Sequence, residues 1–564
     1  MPSGPPPLSL HAAEHLVTLK RCASSLKGFG RNRRIHTKAM ETKCVRHNLI
    51  PGTTALFADY LYHFDRVEQF FAYPPFQDES FALAASRVQY PRERRHAVVE
   101  ALAPLNPNSE NLRRLARPDT LAVVTGQQVG LFGGPLYTLY KALTAIRIAT
   151  RLSESGTPAV PVFWAATEDH DLEEVSHTWV FNQDFTPSKL EVHAANAGRP
   201  VGTVAIPEAP FEELRRGLSG LPFADEVVAL AERSYLPGGT FGEGFIRLFR
   251  EVMQGLGMVI LDPLLPSLRQ VATPFLIAAL QRLPHLREGL FERDRLLAAA
   301  GYHVQVNLEA DSSLLFLLDQ GRRMALRQRN GNFAAKDREY TVSQLSERAE
   351  DLSPNALLRP VMQDFLLPTV AYVGGPAELA YLAQSKVIYD ELLGRMPVLV
   401  PRQSWTLLDR RAAKLASRYE LDLPDLLDYR DHVRQRIAAR LVPAGLTAQF
   451  QDARTAAQSL LKDLRGKLVT FDPSLEAAAA KSQAKILYQL EKLERKTARE
   501  QLRRDERAGF EADYLVNSVY PNRHLQERLY SVLPFLAKFG LDLPQRLLDT
   551  SQLACPDHAV RVID

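Results

Sequence analysis

Cysteine is nearly missing from this chain: 564 residues hold only Cys22, Cys44 and Cys555, with no CxxC pair among them. So sparse and odd a set argues against a disulfide framework and against a cysteine-type zinc site. Long apolar runs are missing too. No stretch approaches the ~18 consecutive apolar residues of a membrane span, so none is expected. The N-terminus carries no apolar stretch followed by a small-residue cleavage site, which makes the cytoplasm the expected compartment. Charge of one sign is also in short supply. Sixty-nine basic residues against 65 acidic ones leave a net +4, too weak a field for a dedicated nucleic-acid binder.

What is present resembles ordinary globular composition, 46% hydrophobic and 24% charged. The length exceeds what one hydrophobic core usually serves and predicts two or three packed units. Residues 1–39 stand apart, opening Pro-rich and then carrying Lys20, Arg21, Lys27, Arg31, Arg33, Arg34 and Lys38 without apolar periodicity. They read as a disordered basic tail, or as translated upstream sequence with the true start at Met40, and their removal is expected to be tolerated. The sharper alternative is an arm for an anionic partner.

From about Thr120 the pattern is α/β. Leu121–Thr125, Ala159–Trp164, Gly257–Asp262, Thr369–Val373 and Pro397–Val400 read as buried strands, separated by stretches with helical spacing such as Leu139, Leu143, Ile146 and Ala149. That alternation predicts βαβ units and a parallel sheet. The expected division is 40–180 as the first half of the core, 181–350 as a core strand with insertions, and 351–440 as the second half. Residues 441–510 read as a coiled-coil hairpin and 511–564 as a helical segment packing on the core. Phe450, Ala453, Ala457, Leu460 and Leu464 predict one seam of the hairpin, and Ile486, Leu490 and Leu493 the other. Its basic end, Arg495 to Arg504, is interleaved with acidic residues, which fits a solvated face better than an RNA contact.

Three constellations carry chemistry. Gly126 to Pro135 is a glycine-rich loop between a strand and a helix, with Gln127, Gln128, Gly133 and Gly134, and with Tyr137 and Lys141 just beyond. Such a loop brings backbone N–H groups close to an anion, although a tight turn explains the glycines as well. It is neither GxGxxG nor GxxxxGK[ST], so neither dinucleotide nor P-loop chemistry follows. Glu168-Asp169-His170-Asp171 ends a strand, where open α/β sheets bind ligands, and these residues could orient an amine or accept its proton. A solvated loop capping the next helix is the plainer reading. Gly374-Gly375-Pro376 opens a second helix start, with Arg359 and Arg402 placed to hold carboxylates. No further ligands point to a metal, and none is expected.

These passages resemble one family. The strings Thr125–Lys141, Pro161–Asp171, Leu358–Pro376, Tyr520–Arg528 and Leu533–Gly540 are similar to the signatures of the BshC family, the cysteine ligases of bacillithiol biosynthesis, and the resemblance spans about Asp59 to Leu548. It implies a Rossmann-like core resembling class I aminoacyl-tRNA synthetases, with connecting-peptide insertions and a C-terminal α-helical coiled-coil domain used for homodimerisation. It implies addition of L-cysteine to the amine of glucosaminyl-malate. It also implies a nucleotide, ATP or ADP, in a second pocket, for which Gln384, Ser385, Lys386, Asn517 and Tyr520 are the candidates. Two departures from the synthetases stand out: no HIGH tetrapeptide and no KMSKS loop occur. The alternatives are a synthetase-like ligase for another amine acceptor, or a non-catalytic dimeric RNA-binding or scaffold protein. Strong, salt-sensitive RNA affinity would distinguish the last.

Overall fold

The computed structural model describes residues 42–564 apart from 197, 330, 423–425, 428–431 and 554; the expectations for residues 1–39 lie outside them. The centre is a five-stranded sheet of Leu121–Gln128 (β1), Ala159–Ala166 (β2), Val259–Leu261 (β3), Thr369–Gly374 (β4) and Val398–Pro401 (β5). All neighbours pair in parallel, in the order β3-β2-β1-β4-β5. This is the Rossmann-like order, in which the chain reverses direction across the sheet between β1 and β4.

Both faces of the sheet are covered, which is why its strands read as near-continuous apolar runs. Alternate residues serve opposite cores: Ala122, Val124, Val160, Val162 and Trp164 pack on one side, Leu121, Val123 and Ala159 on the other. Helix α1 (Tyr137–Glu154) follows β1, and Pro266–Gln281 (α2) follows β3. Helix α3 (Pro376–Leu392) follows β4. Gly126 faces Trp164 in register, and a Cβ there would lie 2.9 Å from the Trp164 carbonyl oxygen, so β1 must carry glycine at that point.

The insertions form elements of their own. An antiparallel five-stranded sheet runs from Ser312 to Pro354, and its strand Arg322–Arg329 returns to the core to supply a site residue. The last segment, expected to be a helical one packing on the core, is helical up to Asp549 and ends in the strand His558–Ile563. That strand lies between Thr42–Val45 and Trp405–Asp409 in a three-stranded sheet. Its run His-Ala-Val-Arg-Val-Ile, rich in β-branched residues, suits a strand better than a helix.

The C-terminal arm is a hairpin of α4 (Ala444–Phe471) and α5 (Glu476–Arg504), followed by α6 (Glu506–Val519). Its seam differs from the one the spacing predicts. Phe450, Ala457, Leu461, Leu468, Leu487 and Leu490 are half-buried, whereas Ala453, Leu460, Leu464, Ile486 and Leu493 are exposed, Leu460 at 71%. Arg465 reaches across to Glu476 at 2.7 Å. Both helices carry apolar residues on two adjoining faces, so period alone does not choose between them. No helix among the described residues is long and apolar enough to cross a membrane.

Candidate active site

At the C-terminal edge of the sheet, over the reversal between β1 and β4, lies a cavity of about 540 Å³. Gly126, Gln127, Gln128, Tyr137, Lys141, Glu168, Asp169, His170, Arg359, Gly375 and Arg402 all line it. The structure therefore brings most of the sequence candidates together, but gives them unequal freedom.

Lys141 is fully committed. Its buried ammonium donates to the Gly126 carbonyl (2.9 Å), to Gln127 Oε1 (2.8 Å) and to Glu378, which accounts for its three hydrogens. Glu378 also accepts from Tyr372 Oη at 2.6 Å and from the Gly375 N–H at 2.8 Å. Burial opposes its charge, but Lys141, Tyr372 and this backbone N–H together hold its pKa below the usual carboxylate range. The protein's own carboxylate thus occupies the start of α3, where an incoming anion was expected, and Lys141 balances it. A glycine followed three residues later by Glu is the capping pattern that could have signalled this.

Glu168 is likewise committed to the fold. Its carboxylate takes Arg269 Nη1 at 2.5 Å in a buried pair, and Arg269 is tied in turn to the carbonyls of Glu350 and Leu352. Burial raises the Glu168 pKa against the pull of Arg269.

Asp169 and His170 face the cavity. Gln128 Nε2 donates to Asp169 Oδ2 at 2.8 Å and to Glu174 Oε2 at 2.6 Å, using one hydrogen for each. The two carboxylates are driven apart in pKa. Burial opposes the charge of Asp169, but hydrogen bonds from the His170 backbone N–H (2.7 Å) and from Gln128 hold its pKa low; burial raises that of Glu174, with Asp169 and Asp171 nearby adding to it. Paired carboxyl groups separated in this way divide into a fixed charge and a proton acceptor.

Arg323 Nη1 lies 2.9 Å from His170 Nδ1. A guanidinium can only donate, so Nδ1 accepts and the neutral ring carries its proton on Nε2. His170 then offers an N–H to a ligand rather than a lone pair. Arg323 is fixed for this by Ser353 Oγ (3.0 Å), the Pro354 carbonyl (2.7 Å) and the Phe316 ring, 3.7 Å from its guanidinium carbon.

The opposite wall is cationic. Arg402 is buried in a pair with Glu527 (2.6 Å), which also accepts from Ser404 Oγ (2.8 Å) and the Trp405 N–H (3.0 Å). Burial works against the Glu527 charge, yet Arg402 first and Ser404 after it bring its pKa down to about 2. Arg359 donates to Tyr381 Oη at 2.9 Å. The exposed side chain of Arg528 has no hydrogen-bond or ion-pair partner among the described residues, and it opens both onto this cavity and onto a second one of about 250 Å³. Arg523, His524 and Tyr520 line that second cavity, and Gly374 lies on its wall. The Trp164 indole N–H, buried without a partner, is one more donor in the wall of the first.

Other candidates lie apart. Asp171 caps the helix Leu172–Val175 by accepting from the Glu174 N–H at 3.2 Å, and it does not line the cavity. Gly133 and Gly134 (φ +88° and +65°) turn the loop that leads to α1, out of reach of the crevice. Gln384 braces Asp294 (2.7 Å) and the Val306 backbone (2.9 and 3.0 Å), Ser385 bonds the Leu357 carbonyl (2.9 Å) and Lys386 pairs with Asp390 (2.5 Å). None of these three joins Tyr520 in the second cavity, and Asn517 instead receives Tyr530 Oη on its carbonyl at 3.0 Å. The residues that sequence reasoning missed as site members are Glu174, Arg323, Glu378 and Arg528. Arg528 ends a quoted signature string, whereas nothing in the sequence marks Arg323, which arrives from an insertion. Among the described residues no group of three or more His, Cys, Asp or Glu could hold a metal ion.

Fold and site together define a Rossmann-like α/β protein with a C-terminal coiled coil, whose crevice sets a carboxylate pair against an unpaired guanidinium. The family model described as the N-terminal Rossmann-like domain of bacillithiol biosynthesis BshC matches residues 40–403, and the C-terminal coiled-coil domain of the same family matches 405–561. Similar proteins named "Putative cysteine ligase BshC" occur in Solibacter usitatus (49% identity, 93% of this chain, 100% of that one) and in Koribacter versatilis (38%, 92% and 99%). Another, in Heliobacterium modesticaldum, is 33% identical over 85% of this chain and 92% of its own. The chain belongs to the BshC family. Among solved structures, an arginyl-tRNA synthetase from Campylobacter jejuni, so titled with a query on its function, overlaps 81% of this chain and 98% of its own at 8% identity. Its TM-score of 0.22 is too low to support an argument.

Proposed function

We propose that this protein is a cysteine ligase of bacillithiol biosynthesis, joining the carboxyl group of L-cysteine to the amine of glucosaminyl-malate. The observation that carries the reading is the polarity of the crevice, with Asp169 and Glu174 bridged by Gln128 on one side and Arg528 on the other. Amide formation needs an activated acyl group and a neutral amine held together. Asp169, kept ionised, orients the ammonium; Glu174 takes its proton; the amine lone pair then attacks the acyl carbon as the leaving group departs with its electron pair. The His170 Nε2–H is placed to meet the oxyanion that develops. Arg528 and the remaining N–H groups of Arg359 suit the carboxylates of the malate moiety.

The acceptor, the cytoplasmic setting and the nucleotide belong to the same proposal. Gln384, Ser385 and Lys386 do not fit a nucleotide, because Gln384 and Ser385 are engaged inside the fold and Lys386 is paired with Asp390 at the surface. The second cavity fits better, since Arg523, Arg528 and His524 offer donors for phosphate beside the Tyr520 ring. A bound ATP would supply the phosphate that activates a carboxylate. We also place a homodimer on the exposed apolar face of the hairpin, where Leu460, Leu464, Phe471, Ile486 and Leu493 remain open.

Deleting the gene should abolish bacillithiol and let glucosaminyl-malate accumulate, with both effects reversed by the wild-type copy. Undiminished bacillithiol in the deletion strain would sink the proposal. A panel of amino-sugar acceptors with labelled cysteine distinguishes this acceptor from others.

A further inference from the structure

Two of the three cysteines meet across the fold. Cys555 Sγ lies 3.6 Å from Cys44 Sγ, although 511 positions separate them in sequence. Cys44 sits on the edge strand Thr42–Val45, opposite Ala559, and Cys555 stands in the turn that leads into the partner strand. Cys44 is exposed and Cys555 half-buried. Cys555 donates its S–H to the Cys44 sulfur; this contact first, and burial second, raise its own pKa, and of the two sulfurs Cys44 is the more open to solvent.

A cation is built in beside them. Arg561 stands opposite Thr42 and therefore on the same face of the sheet as Cys44, two residues along. It is 4% exposed, its two terminal nitrogens are held by Thr550 at 3.0 Å each, and its Nε–H has no partner among the described residues. Its charge acts on both sulfurs. A thiol next to a guanidinium and an S–H donor has the surroundings of a reactive cysteine rather than an inert one.

We propose that Cys44 and Cys555 form a thiol–disulfide exchange site for low-molecular-weight disulfides, with Cys44 as attacking and Cys555 as resolving thiol. The Cys44 thiolate attacks one sulfur of RS–SR, forming Cys44–S–SR and expelling RS⁻. Cys555 then attacks the Cys44 sulfur and releases the second RS⁻. The two thiol protons end on two RSH, and the protein dithiol is oxidised as the small disulfide is reduced. Closure requires the sulfurs to approach from 3.6 Å to about 2.0 Å. The bond would fasten the edge strand to the strand that carries His558, which itself reaches Ser404 at 2.7 Å. This proposal stands apart from the chemistry of the crevice and does not depend on it.

The test uses reduced full-length protein treated with cystine, then alkylated, digested and analysed by mass spectrometry. The expected product is a Cys44–Cys555 cross-linked peptide, lighter by two hydrogens and returned to two alkylated peptides by dithiothreitol. Cys555→Ser should stop the reaction at Cys44 joined to a half-cystine, and Cys44→Ser should abolish the cross-link. Both replacements are small and leave the sheet register intact. Wild-type protein that yields Cys44 and Cys555 only as separate alkylated or singly cystinylated peptides would overturn the proposal, as would a half-cystine on Cys44 that Cys555 never displaces.

Discussion

The crevice and the coiled-coil arm use the same residue types under opposite rules. Around the crevice nearly every buried charge has a partner: Lys141 has Glu378, Glu168 has Arg269, and Arg402 has Glu527. The groups left free, Arg528 and the His170 Nε2–H, are those a ligand would meet. In the arm the surplus is apolar. One face of α4 and α5 closes the hairpin, while the adjoining face leaves Leu464 51% and Leu493 54% exposed. The free polar groups at the mouth of the crevice and the uncovered apolar ones on the arm are alike in one respect: neither set is satisfied among the described residues.

The sharpest way to break that comparison is to remove a free crevice group. His170→Ala and Glu174→Gln should lower ligase turnover by about 10² to 10⁴, as losses of an oxyanion donor or general base do, with an unchanged melting curve. Normal turnover in both variants would make the crevice a passive cleft. Removing a committed group should act on stability instead. Lys141→Met leaves the buried Glu378 carboxylate without its cation and should cost about 3–5 kcal/mol by denaturant titration, much of it recovered in the double variant with Glu378→Gln.

Acid should reach the same networks. The folded pKa of Glu527 lies at about 2, below the unfolded value of about 4.3, so its contribution to stability is complete above the unfolded pKa. That contribution fades as the pH falls toward about 2. Glu527→Gln should flatten this acid limb in a plot of melting temperature against pH.

On the arm, Leu464→Lys with Ile486→Lys should convert the proposed dimer to monomers in sedimentation while shifting the monomer's own stability by no more than about 0.5 kcal/mol. The seam pair Leu461→Lys with Leu487→Lys should instead lower helical content in circular dichroism. The smallest effect belongs to Asp171→Ala, the loss of a helix cap worth about 1 kcal/mol, with turnover intact.

How much the sequence reveals follows from the same contrast. The five core strands are legible because a sheet buried on both faces forces unbroken apolar runs, and β1, β2 and β4 fall where Leu121, Ala159 and Thr369 open those runs. The loop after β1 and the cluster after β2 are legible because strand ends in an open sheet form the crevice. Which group is free to act is not legible. Glu168, Asp169 and Asp171 are adjacent carboxylates in sequence, yet one pairs with Arg269, one faces the cavity and one caps a helix. Those fates depend on partners that lie far along the chain. The hairpin seam is illegible for another reason: a helix with two apolar faces satisfies one period in two phases.

One contact carries a consequence for how the arm evolves. Arg402 and Glu527 touch although they stand 125 positions apart, and the whole hairpin departs and returns within that interval. In a closed loop of this kind, the entropic penalty of joining the ends grows only with the logarithm of the contour, about 0.6 kcal/mol for each doubling. The arm can therefore gain or lose heptads at almost no expense to the crevice. Its reach is a dimension that selection, or an engineer, can vary while the chemistry stays fixed.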